Sequence, residues 1–304
     1  MIKTVFIVGP TASGKTALSI EIAKKFGGEI VCADSMQIYK CIHIASAAPD
    51  EEEKSGIPHH LLEFLDLTES FSVADYVKLA RKCIEEINSR GKLPVIVGGT
   101  GLYIDSLVNG VDFGEEQGDE KIREELTELA EKEGNEAVHK ILAEVDPETA
   151  AKYHPNNLRR IIRAIEVYKT QGKTVSEKEK EEKISPYDVA YFCIDWDREV
   201  LYDRINRRVD IMVEDGLIEE VKSLLERDID PSVTSMQSIG YKEFYGYLNG
   251  DSTLEEALDT IKQSSRRYAK RQLTWFRRNK DINWLKPETA FVDAMDVIKE
   301  KFKI

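Results

Sequence analysis

The sequence predicts an α/β fold: a parallel sheet covered by helices, with an all-helical insertion. Three observations carry that reading. A glycine-rich loop sits between a short apolar run and an amphipathic helix, further apolar runs alternate with helical sequence, and from about residue 119 to 183 no strand pattern occurs. Strands that alternate with helices imply parallel pairing with both sheet faces covered.

The elements follow in order. TVFIV (4–8) reads as a buried strand, and TALSIEIAKKF (16–26) as the helix after the loop. EIVCA (29–33) is a second strand ending at Asp34, and LPVIV (93–97) a third, running into GGTGLYI. Between them lies a helix over 72–91, with Ser72 as N-cap and Gly91 just past its end. After LVNGVDFGEEQGD the pattern becomes charged and helical through EKIREELTELAEKEG, EAVHKILAEVD and NNLRRIIRAIEVYKTQG. The run KTVSEKEKEEKIS reads as a solvated loop or frayed helix. VAYFCI (189–194) returns to strand, a long helix begins near Arg198, and DINWL is a candidate last strand. The expected division is a core of 1–112 and 188–304, with 113–187 as the helical insertion.

Composition narrows the function. A chain of 304 residues can bury a large core, and Cys32, Cys41, Cys83 and Cys193 are scattered without a CxxC or histidine partners, as expected of reduced thiols and no metal cluster. The N-terminal apolar run is too short for a signal peptide or a membrane span, so a soluble, cytoplasmic protein without a membrane partner is expected. The net charge of −13 argues against a nucleic-acid partner, but its distribution does not. RRYAKRQLTWFRR (266–278) and NNLRRIIRA are basic islands in an acidic chain. One such island reads equally well as a helix face paired with acidic neighbours; two, interleaved with Tyr268, Trp275 and Phe276, favour RNA.

The chemistry concentrates at strand ends. Gly9, Pro10, Thr11, Ala12, Ser13, Gly14, Lys15 and Thr16 satisfy G-x-x-x-x-G-K-[ST], between strand and helix as a phosphate-binding loop (P-loop) requires. Backbone N–H groups and the helix N-terminus make an anion cradle, Lys15 adds a charge, and the Thr16 hydroxyl can ligate Mg²⁺. Open parallel sheets bind ligands beyond the carboxyl ends of their strands, which puts Asp34 and the Gly98-Gly99-Thr100-Gly101 turn beside the phosphates. Asp34 reads as base, metal ligand or turn cap. The GGTG glycines read either as room for a ligand or as an ordinary tight turn. His59 and His60 read as a structural loop in preference to a metal site, because adjacent histidines share no helix face.

Jointly these residues resemble the tRNA dimethylallyltransferases (tRNA isopentenyltransferases). The resemblance runs through GPTASGKT (9–16), DSMQIYK (34–40), IPHHLLEFLDLTESFSVADY (57–76), LPVIVGGTGLYI (93–104), RRIIRAIEVY (159–168), SIGYKEFYGYL (238–248) and YAKRQLTWFRR (268–278). It implies transfer of the dimethylallyl group of dimethylallyl diphosphate to N6 of the adenosine 3′ of the tRNA anticodon, releasing pyrophosphate, with Mg²⁺ as cofactor. It implies Asp34 as base, Lys15 and Thr16 at the diphosphate, Thr100 at the bridging oxygen and Arg208 at the pyrophosphate. It further implies contacts to the anticodon stem-loop from Asp34, Ser35, Met36, Gln37, Thr100, Arg123, Arg159, Arg160, Ile161, Ile162 and Arg163, and a monomer. The chain departs from the family pattern at CIHIASAAP (41–49), where the usual glycine, acid and lysine are missing, and at Asn157 and Ser265. The residues alone leave two other readings: a P-loop small-molecule kinase, and a tRNA-binding paralogue altered in catalysis.

Overall fold

A computed structural model describes residues 1–111, 119–180, 184–227, 229–230 and 232–304. Its strands are β1 (Ile2–Val8), β2 (Gly28–Cys32), β3 (His59–His60), β4 (Leu93–Gly98), β5 (Tyr187–Ile194) and β6 (Asn283–Leu285). Its helices begin with α1 (Lys15–Phe26), α2 (His43–Ser46), α3 (Glu51–Lys54), α4 (Val73–Ser89) and α5 (Gly101–Val108). There follow α6 (Glu120–Glu133), α7 (Asn135–Val145), α8 (Pro147–Lys152), α9 (Leu158–Gln171) and α10 (Val175–Lys180). The chain closes with α11 (Arg198–Glu214), α12 (Leu217–Leu225), α13 (Tyr241–Leu248), α14 (Leu254–Phe276) and α15 (Ala290–Phe302).

The strands form one parallel sheet in the order β3-β2-β4-β1-β5-β6. β1 is central: Val5 lies between Val95 and Ala190, and Ile7 between Val97 and Phe192. Its last five residues are buried, which is why it reads as a continuous apolar run and not an alternating one. α4 starts where Ser72 and Asp75 form a reciprocal capping box, so the expected N-cap is in place. His59 and His60 are not in a loop: they form the short edge strand β3, where His60 Nε2 meets Glu29 Oε2 at 2.8 Å. Backbone pairing with Ile30 and Val31 overrides the turn signal of the preceding proline.

The chain divides into two compact units, Met1–Gly110 with Ser185–Ile304, and Val111–Ile184. The expected edge at 112/113 falls outside the described residues, and the edge at 187/188 falls inside β5. The second unit is helical, α6 to α10, around a core that includes Leu126, Val138, Leu142, Ile161 and Ile165. Within it, buried Asp146 caps two helix starts at once, accepting from Thr149 N–H at 3.1 Å and Ser176 N–H at 3.0 Å. Burial pushes its carboxyl up, but those hydrogen bonds prevail and hold it at about 2.

Candidate active site

The phosphate loop takes its shape from residues held at positive φ. Gly9 (φ 133°), Ala12 (φ 60°) and Gly14 (φ 93°) turn the backbone back on itself between β1 and α1. A side chain at Gly9 would place its Cβ 2.8 Å from Cys193 Sγ, so glycine is required there twice over. The loop is braced from behind by the C-terminal part of the chain. Trp196 Nε1 donates to Ser13 O at 2.8 Å and Arg204 Nε to Ala12 O at 2.9 Å, with the guanidinium 4.3 Å from the centre of the Trp196 ring. Lys15 Nζ donates to Pro10 O at 2.6 Å. Burial pulls Lys15 down to about 8; Asp34 opposes that shift and Arg208 adds to it. Ser13 Oγ is buried with no hydrogen-bond partner, as expected of a hydroxyl in a loop shaped for an anion.

Asp34 follows β2, where its Oδ1 accepts from Met36 N–H at 2.9 Å. That turn fixes the carboxylate in the wall of a cavity of about 330 Å³. Capping and a chemical role are therefore compatible, since one oxygen suffices for the turn. Next to it, Thr100 Oγ1 accepts from Ser35 N–H at 2.9 Å and approaches Ser35 Oγ at 3.3 Å. The glycines around Thr100 make room for protein, not for ligand. A Cβ would stand 2.1 Å from Ala33 O at Gly98, 2.1 Å from Gln272 Nε2 at Gly99 and 2.3 Å from Trp275 Cδ1 at Gly101.

The cavity has two characters. Its lining includes the charged and hydroxyl groups of Lys15, Thr16, Asp34 and Arg208, and also the apolar side chains of Ile205, Val209, Met212, Leu217 and Ile261. Arg208 Nη2 donates to Ala47 O at 3.2 Å, and burial lowers its pKa. A second cleft of about 830 Å³ shares Lys15, Thr16 and Arg208 with the first and is also lined by Ser13, Gly14, Arg204 and Arg207. Among the described residues no three His, Cys, Asp or Glu side chains converge as a metal cage. The single Thr16 hydroxyl beside an anion cradle fits Mg²⁺, which keeps water and phosphate oxygens for most of its coordination.

The divergent 41–49 stretch is firmly tied. Gln37 Nε2 donates to Ser46 O and Ala47 O at 3.2 and 2.9 Å, so this predicted RNA contact has its amide inside the protein. Glu220 accepts from Ile44 N–H and Ala45 N–H at 2.8 and 3.0 Å, and His43 Nδ1 pairs with Glu63 at 2.9 Å. Ser35 and Met36 line the cavity.

In the helical unit, Arg159, Arg160 and Arg163 are exposed on α9 and Arg123 on α6. Arg123 and Arg163 both bond to Glu166, at 2.8 and 2.6 Å. Ile161 and Ile162 carry their side chains into that unit's core. In the other basic island the aromatics expected to meet bases are mostly committed to the protein. Phe276 is buried, and Trp275 Nε1 donates to Asp105 at 2.8 Å under the Arg278 guanidinium. Tyr268 alone of the three lines the cavity. Sequence reasoning missed Gln272, Trp196 and Arg204, whose partners on the phosphate loop lie 183 to 261 residues away. Only the sheet order could have brought them together.

Comparison with known proteins shows the family. Residues 37–279 match the profile of the family IPPT, IPP transferase. The chain belongs to the IPP transferase family. It is 51% identical over 284 residues to the tRNA dimethylallyltransferase of Halalkalibacterium halodurans, covering 93% of this chain and 90% of that protein. The crystal structure of the full-length tRNA isopentenylpyrophosphate transferase from Bacillus halodurans superposes with a TM-score of 0.74 at 46% identity, covering 100% of this chain and 99% of that one. A eukaryotic dimethylallyltransferase caught acting on tRNA in crystallographic snapshots gives 0.88 at 33% identity, covering 100% and 80%. Among the described residues no helix is long and apolar enough to cross a membrane.

Proposed function

We propose that this IPP transferase moves the dimethylallyl group from dimethylallyl diphosphate to N6 of the adenosine 3′ of the tRNA anticodon, releasing pyrophosphate. One observation carries the choice of substrate: the cavity beside the phosphate loop includes a set of aliphatic side chains, Ile205, Val209, Met212, Leu217 and Ile261, in its lining. A short prenyl chain needs such apolar surface beside the diphosphate, whereas the polar acceptor of a kinase makes no use of it. In the reaction N6 attacks the prenyl C1, the C1–O bond to the diphosphate breaks, and the N6 proton passes to the Asp34 carboxylate. The amine is a weak nucleophile because its lone pair is delocalised into the purine, so a base held at the attacking atom lowers the barrier. Lys15, Arg208 and the loop N–H groups meet the charge growing on the leaving oxygens. Mg²⁺ held by Thr16 supplies further neutralisation of the diphosphate when bound. The adenine leaves its stack to reach Asp34. Arg123, Arg159, Arg160 and Arg163 are assigned to the anticodon stem, and the protein acts as a monomer in the cytoplasm.

The test is incubation with Mg²⁺, dimethylallyl diphosphate and unmodified tRNA, followed by nucleoside digestion and mass spectrometry. Isopentenyladenosine is expected with the wild type and is expected to be lost in Asp34→Ala. A wild type that binds tRNA but forms no such nucleoside sinks the proposal.

A further inference from the structure

Gln272 has no part in the reaction as drawn, yet it is 5% exposed and both ends of its amide are engaged. Oε1 accepts from Thr11 N–H at 3.1 Å, and Nε2 donates to Gly99 O at 3.0 Å. These partners fix which end of the amide is which, because one is a donor and the other an acceptor. They also belong to two different loops, the phosphate loop after β1 and the turn after β4 that carries Thr100. The approach is so close that a Cβ on Gly99 would collide with Nε2. Three residues further along α14, Trp275 stacks over Gly101 and bonds Asp105, so the same helix face grips the turn at two points. α14 thus spans from the cavity wall at Tyr268 and Arg271 to both loops.

We propose that Gln272 is a positioning residue that sets the spacing between the diphosphate-binding loop and the Thr100 turn. The proposal rests on the prenyl-transfer reading for its kinetic consequence. With the amide in place, the leaving diphosphate and the Asp34–Thr100 side of the cavity hold one geometry. Without it, a buried N–H and a buried carbonyl each seek another partner, and the two loops relax independently.

Gln272→Leu keeps the volume and removes both bonds. It is expected to lower kcat/KM for dimethylallyl diphosphate by about tenfold to a hundredfold, the scale of a small misplacement of reacting groups. Affinity for inorganic pyrophosphate, titrated by calorimetry, is expected to fall as well, with tRNA affinity unchanged. Gly99→Ala, which pushes the amide aside, should cause a similar loss, and the double variant should be no worse than the poorer single. Should Gln272→Leu fail to fold, Gln272→Glu keeps the shape and the acceptor for Thr11 but loses the donor to Gly99, and should show the same non-additivity. Wild-type kcat/KM and pyrophosphate affinity in Gln272→Leu would overturn the proposal, as would additive losses or a loss that follows tRNA affinity. A wild type that transfers no prenyl group refutes the proposed function instead, and the pyrophosphate titration still decides the role of Gln272.

Discussion

Two groups of cations, one around the phosphate loop and one in the helical unit, are held in opposite ways. In the α/β unit Lys15, Arg204 and Arg208 each donate to a backbone carbonyl, of Pro10, Ala12 and Ala47. In the helical unit Arg123 and Arg163 close on one carboxylate, that of Glu166, which is completely buried. A carbonyl orients a cation and leaves its charge intact, whereas a carboxylate cancels one charge of every pair it joins. The first arrangement keeps concentrated positive charge for a compact anion such as a diphosphate. The second uses charge to tie α6 to α9, leaving two half-exposed guanidinium edges with a net charge of one between them.

The largest effect that tests the contrast is at Lys15. Lys15→Ala is expected to lower kcat/KM for dimethylallyl diphosphate by about a thousandfold, the scale of removing one charge-stabilising group from a transition state. The pH dependence follows from the same burial. With its folded value near 8, Lys15 loses its charge as pH rises through about 8, so kcat/KM should fall on that limb and Lys15→Arg should flatten it. Stability moves the other way: between about 8 and 10.5 the unfolded chain binds the proton and the folded one does not, so this group makes folding more favourable as pH rises. A flat profile in the wild type would break the link between the charge of Lys15 and prenyl transfer in this pH range.

Next in size is the loss of both partners of Glu166. Arg123→Ala with Arg163→Ala strands a buried carboxylate and is expected to cost about 3 kcal/mol, while each single change leaves one cation and costs about 1 kcal/mol or less. Denaturant titration of the three variants measures this directly. Burial pushes the Glu166 carboxyl up, but hydrogen bonds from Arg163 and Arg123 outweigh it and hold it below the usual range. The stability it contributes is therefore present above about pH 4.5 and lost as pH falls below that, a loss the double variant should not show. Equal costs for single and double changes would mean that the carboxylate is not the tie.

How far the sequence announced these arrangements differs between the two units. The phosphate loop, Asp34 and the Thr100 turn were legible because each is local: a motif or a strand end within a few residues. Gln272, Trp196 and Arg204 were not, because their partners are set by which strand lies beside which, and β1 lies between β4 and β5 only in the folded sheet. The GGTG glycines left two readings open for the same reason, since the atoms that exclude a side chain come from Ala33, Gln272 and Trp275. In the helical unit the basic residues of α9 were plain, but the apolar period that buries Ile161 and Ile162 was overshadowed by the charges around them.

The smallest expected effect separates arginines one turn apart. Arg159 and Arg160 sit in the first turn of α9, whose N-cap Asn157 makes no side-chain cap bond. A cation there opposes the helix dipole, so the sequence places charge where a bound anion would offset it. Arg159→Ala or Arg160→Ala should weaken tRNA binding and reduce the slope of log affinity against log salt by about one each, with stability unchanged or slightly raised. Arg163→Ala should change that slope by less, because Glu166 already offsets its charge, while lowering stability. Salt titrations of tRNA binding on the three variants measure the difference. If Arg163 and Arg159 gave equal slopes, the carboxylate would not be damping its partners, and the distinction between charges kept for a ligand and charges used as a tie would fail on the RNA side.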